Sequence, residues 1–122
     1  MTTRYAFCYD QAKKLAVHAL IKRHLRKVAG HLGVALQPGD IRTNPGGPII
    51  WGESMLHTDT VYVQVEPSRE HVLVRTVTSR RDYTGGRNMY IPLALLSRPA
   101  EFAVRLKVAL DFDCILTQQG LE

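Results

Sequence analysis

The residues best suited to do chemistry in this chain are cations. Lys22, Arg23, Arg26 and Lys27 fall within about a turn and a half of a helical register. Side chains so placed can reach several successive phosphates of a nucleic-acid backbone, which confers affinity without sequence information. Arg80, Arg81 and Arg87 surround Tyr83 and the Gly85 and Gly86 pair. A glycine tip carrying arginines and an aromatic ring can enter a groove or stack on a base. Base reading by the first group would be helped by Asn or Gln beside the arginines, and the segment offers only Gln11, at its start. Each group also has a plainer reading. The first could be a solvated helix face, and the second a surface turn whose Asp82 partly neutralises its neighbours.

Other chemistry-bearing residues carry less. Ser54, His57 and Asp59 have the side chains of a hydrolytic triad, but triad members converge from distant segments and no nucleophile-elbow pattern surrounds Ser54. His57, Asp59 and His71 could form a weak metal site only if they met, and hairpin register puts His71 opposite Glu66, far from His57. No metal and no cofactor is expected. Residues 44–48, Asn-Pro-Gly-Gly-Pro, lack the spacing and the lysine of a phosphate-binding loop and read as a rigid turn. His24 falls in an apolar stripe and reads as a buried or half-buried neutral imidazole bonded to a neighbour. Asp111 and Asp113 match no acid-base motif, and form an acidic end that could dock against the cations of the first helix.

The elements that position these groups follow from spacing. At about 100° per residue, Val17, Leu20, Ile21, Leu25, Val28 and Leu32 share one arc and Lys22, Arg23, Arg26 and Lys27 the opposite one, which predicts an amphipathic helix over 10–32. Asp10 is its N-cap, and Gly30 and Gly33 supply the stop. Residues 33–52 are dense in proline and glycine and read as turn and loop, except Ile49, Ile50 and Trp51, a short edge or first strand. Residues 58–66 and 71–79 form a hairpin connected by 67–70. Its register sets Val63 against Val74 and Val61 against Thr76, a valine ladder on one face, with Tyr62 beside Arg75 and Gln64 beside Leu73 on the other. A turn over 82–88 leads to a third strand at 89–91, which Pro92 ends. Residues 93–96 form a helical turn, and a second helix opens at Ser97 and Pro99 and reaches about Asp111. The expectation is an α+β two-layer fold, an antiparallel meander of three to four strands with an N-terminal and a C-terminal helix on one face.

Composition bounds the rest. The 122 residues are 45% hydrophobic and 22% charged, the profile of a single domain over 1–122 with one core. Cys8 and Cys114 lack zinc or redox spacing and read as reduced thiols, which with a start lacking signal-peptide features points to the cytoplasm. No apolar run approaches the roughly 20 residues of a membrane span. A membrane-surface role for the first helix would require its apolar face, which the valine ladder needs. Charge is the informative asymmetry. The net charge is +5, and residues 10–32, with six Lys and Arg against Asp10 alone, carry all of it. The sequence therefore points to a small non-enzymatic nucleic-acid-binding protein of bacterial or phage type. The alternative is an adaptor or inhibitor engaging an acidic protein surface, with anchors near Trp51 and 93–96. An unpaired edge strand would also allow a homodimer.

Overall fold

A computed structural model describes residues 7–77 and 87–110. The first helix, α1 (Gln11–Leu32), starts where expected. The Asp10 carboxylate accepts from the Lys13 backbone N–H at 3.0 Å, satisfying one of the donors a helix leaves open at its first turn. It stops at Gly33, whose φ of 76° is left-handed and whose N–H returns to the last turn. Five antiparallel strands follow in sequential order: β1 (Ile41–Asn44), β2 (Glu53–His57), β3 (Val61–Val65), β4 (His71–Thr76) and β5 (Met89–Pro92). A 3-10 turn (Leu93–Ser97) leads into α2 (Pro99–Leu110), with proline at the first helical position.

The α+β two-layer arrangement is as the sequence indicated, with five strands among the described residues in place of three to four. The two extra strands are β1 and β2. Ile41–Asn44 sits among prolines and glycines and has no apolar alternation, so its pairing with β2 supplies the strand character that its composition lacks. Residues 49–51, expected to be a strand, form a connection in which only Ile50 makes an isolated bridge, to Phe7. Gly52 ends that connection with φ of 71°, so close to Asn44 that a Cβ would overlap its carbonyl oxygen. Pro92 belongs to β5 instead of following it, and this is allowed because β5 is an edge strand.

The hairpin register is the expected one: Val63 pairs with Val74, Val61 with Thr76, Tyr62 with Arg75 and Gln64 with Leu73. Period-two alternation then sends Val61, Val63, Val65, Val72 and Val74 to one face, where both helices cover them. Ile21, Leu25, Val28, Ala29 and Leu32 come from α1, and Phe102, Ala103, Leu106 and Leu110 from α2. Met55, Tyr62 and Val77 make a smaller buried cluster with Leu73 on the opposite face. No described helix is long and apolar enough to cross a membrane.

Candidate nucleic-acid interface

The inner face of α1 is less apolar than its periodicity suggested, and this decides which of its cations are free. Leu20, expected inside, is 44% exposed, while Lys14 and His18 are each 3% exposed. Lys14 extends its ammonium to the carbonyl oxygens of Pro45 (2.7 Å) and Gly47 (3.1 Å). Gln11 donates from Nε2 to the Pro48 carbonyl. The glycine-rich turn at 44–48 is thus no phosphate cradle. Its carbonyls point at the chain's own lysine, which is the opposite polarity.

His18 extends the same clamp. Its Nε2 lies 2.6 Å from the Trp51 carbonyl oxygen, which can only accept, so Nε2 carries the proton. Nδ1 then accepts from the Ser54 hydroxyl at 2.8 Å, and Ser54 Oγ accepts from Thr43 at 2.8 Å. Burial holds the His18 pKa below its ordinary value. The hydrogen bond to Trp51 and the charge of Glu53 oppose this, and the charges of Lys14 and Lys22 reinforce it. Ser54 is fully buried, so this histidine–serine contact has no access to substrate and joins α1 to β1, β2 and the intervening connection.

The triad and metal groupings do not form. His57 is buried with its ring edge-on to Tyr62 at 5.1 Å, whereas Asp59 is exposed in the β2–β3 connection. His71 opens β4 at the other end of the sheet. Among the described residues, no group of three His, Cys, Asp or Glu could hold a metal ion. Cys8 is buried with its thiol against the Asp10 carbonyl at 3.2 Å; Cys114, Asp111 and Asp113 lie outside the described residues. His24 differs from expectation: it is half-buried, but its buried Nδ1 has no hydrogen-bond partner among the described residues. Burial, then the charges of Lys27 and Arg23, lower its pKa.

The cations singled out from sequence divide cleanly. Arg23, Arg26 and Lys27 are exposed on the outer face of α1, and Lys22 is half-buried at its margin. Among the described residues, none of the four has an ion pair or side-chain hydrogen bond. The helix contains no acidic residue, so nothing on its own surface neutralises them. Arg80, Arg81 and Tyr83 lie outside the described residues, while Arg87 is exposed just before β5. Register relates Arg87 to the helix. Ile41, Leu56, Val63, Val74 and Met89 form one row across the sheet, and Arg87 lies beyond Met89. α1 passes Ser54 at His18 and leads by residues 33–40 into Ile41, so its basic half runs toward that same end.

The anchors expected of a protein-binding surface fare less well. Trp51 is 4% exposed, Leu96 is buried, and Leu93 and Leu95 are half-buried against the core. Beside Trp51, however, Ile49 and Ile50 are exposed, and α1 exposes Leu15 (70%) and Leu20. Sequence inspection did not find the Lys14 and His18 clamp. Both residues sit at positions that share an arc with Ile21, Leu25 and Leu32, and that coincidence was the available signal. Compared with protein-family models, curated proteins and solved structures, the chain matched none.

Proposed function

We propose that the chain is a small non-enzymatic nucleic-acid-binding protein that contacts phosphates through the outer face of α1. One observation carries the reading: Arg23, Arg26 and Lys27 stand exposed, without an ion pair among the described residues, on a helix without a single acid, in a chain otherwise balanced in charge. Solvated cations with no internal partner lose little on moving to a phosphate, and each contact releases condensed counterions. No amide side chain lies among them, so the contacts are to backbone and sequence-independent. Arg80, Arg81, Tyr83 and Arg87 remain the candidates for a second contact.

The test is fluorescence anisotropy with random duplex and single-stranded oligonucleotides at low salt. Wild type binds both, and Arg23→Glu with Arg26→Glu abolishes binding to any sequence. Absence of binding by wild type at low salt overturns the reading.

A second reading has its own support. Leu15 and Leu20 are exposed on the same helix as the cations, and an acidic protein surface bearing apolar groups would use both. Replacing Leu15 and Leu20 by serine separates the two, because it weakens a protein complex and leaves phosphate contacts intact.

A further inference from the structure

The sheet face turned away from the helices carries a second concentration of aromatic and polar side chains. Gln64, Glu66, Arg69, His71, Leu73 and Tyr90 line a depression of about 240 Å³. Pairing builds its floor: Gln64 stands opposite Leu73, and Leu73 opposite Tyr90, so three adjacent strands contribute one cross-strand row. Leu73 is half-buried, and Tyr90, on edge strand β5, is 60% exposed. An exposed ring beside an apolar floor is a stacking platform for a planar ligand.

A hydrogen-bonded chain along β3 orients the polar wall. The Tyr62 hydroxyl donates to Gln64 Oε1 at 2.6 Å, Gln64 Nε2 donates to Glu66 Oε1 at 3.0 Å, and Arg69 Nε donates to Glu66 Oε2 at 3.1 Å. A carboxylate only accepts, so the amide can be placed one way round. Tyr62 and Glu66 flank Gln64 on opposite sides along the strand. They use one lone pair of Oε1 and one hydrogen of Nε2, which leaves one acceptor and one donor without a partner among the described residues. That pair matches the donor and acceptor edge of adenine, which a glutamine amide reads in bidentate fashion. Arg69 also lines the depression, its side chain is 70% exposed, and among the described residues only its Nε is engaged, so its terminal nitrogens are available to the phosphate that a nucleotide carries on its sugar. The volume is below the roughly 300–1,000 Å³ of sites for drug-sized ligands, which suits one base and excludes an extended cofactor.

We propose that this depression is a binding site for a single adenine-type nucleotide, stacked on Tyr90 and read by Gln64. The base comes from a free nucleotide or from an unpaired residue of a single strand. The site lies on the layer opposite α1 and does not depend on the reading of that helix.

The test is an NMR titration of the full chain with AMP, UMP and adenosine, followed by a short oligo(dA). AMP should shift the Leu73 signals and the Gln64 side-chain amide saturably. Tyr90→Leu should weaken AMP binding about tenfold, as loss of one stacked base does. Gln64→Met should remove the preference for AMP over UMP, and Arg23→Glu with Arg26→Glu should change neither. Weaker binding of adenosine than AMP supports the phosphate contact of Arg69. Tighter binding of the oligonucleotide, retained in the α1 charge-reversal variant, supports a strand as the source, and equal binding supports a free nucleotide. Unsaturable shifts with every probe overturn the proposal, as does unchanged affinity in Tyr90→Leu with its fold verified by thermal denaturation.

Discussion

The two halves of α1 carry the same residue types to opposite ends. In the first half, Lys14 and His18 are buried and spend their hydrogen-bonding capacity on the carbonyls of Pro45, Gly47 and Trp51 and the hydroxyl of Ser54. In the second half, Arg23, Arg26 and Lys27 are exposed and engage no side chain or ion-pair partner among the described residues. Partner geometry, and not charge, separates a structural cation from an available one. Lys14 beside two carbonyls is taken out of the surface field, whereas three cations with no acid on their helix create one.

The largest effect that would break this comparison is on binding. Arg23→Glu with Arg26→Glu should lower nucleic-acid affinity at least about a hundredfold at low salt while changing stability by less than about 0.5 kcal/mol. A comparable loss of stability would mean that these arginines are structural after all. Next comes Lys14→Met, which removes both charge-assisted bonds to the 45–47 carbonyls. It should destabilise the fold by about 2 kcal/mol in urea denaturation, and a neutral result would show that the clamp is dispensable.

Smaller still is the pH dependence. The pKa of His18 is depressed in the folded state, so below its ordinary value of 6.5 the unfolded chain binds the proton more readily. His18 therefore contributes stability that is complete above that value and falls away as pH drops through it. His24 is depressed in the same direction. His24→Gln should reduce the acid sensitivity of thermal stability, and an unchanged profile would show that His24 does not contribute to it. The smallest expected effect is from Thr43→Val, which takes one donor from Ser54 and should cost about 1 kcal/mol.

Much of the fold was legible because its strongest signals were periodic. The helix from Asp10 to Gly33, the Val63 and Val74 pairing and the proline start of α2 all follow from spacing and end residues. β1 was not legible, since Ile-Arg-Thr-Asn has no alternation and becomes a strand only by pairing with β2. Residues 49–51 misled for the converse reason: they are apolar, but Gly52 in the left-handed region sets the chain's course beside Asn44. In the site, helical spacing opposite the apolar arc placed Lys22, Arg23, Arg26 and Lys27 outside; the last three are exposed and Lys22 is half-buried. Lys14 entered only the charge count of residues 10–32, and its structural use was not legible because only tertiary structure brings Pro45 and Gly47 beneath it. The sheet-face depression was half legible: hairpin register set Gln64 beside Leu73, but the arrival of Tyr90 beside Leu73 depends on β5 pairing with β4.

The division of α1 is tested most directly by the salt dependence of nucleic-acid affinity in wild type, Arg26→Gln and Lys14→Met. The logarithm of the association constant should fall linearly with that of salt concentration. Arg26→Gln should make the slope shallower by about 0.9, the loss of one phosphate contact, and Lys14→Met should leave it unchanged. A slope altered by Lys14→Met and not by Arg26→Gln, or no salt-dependent binding in wild type, would contradict the assignment of the two halves.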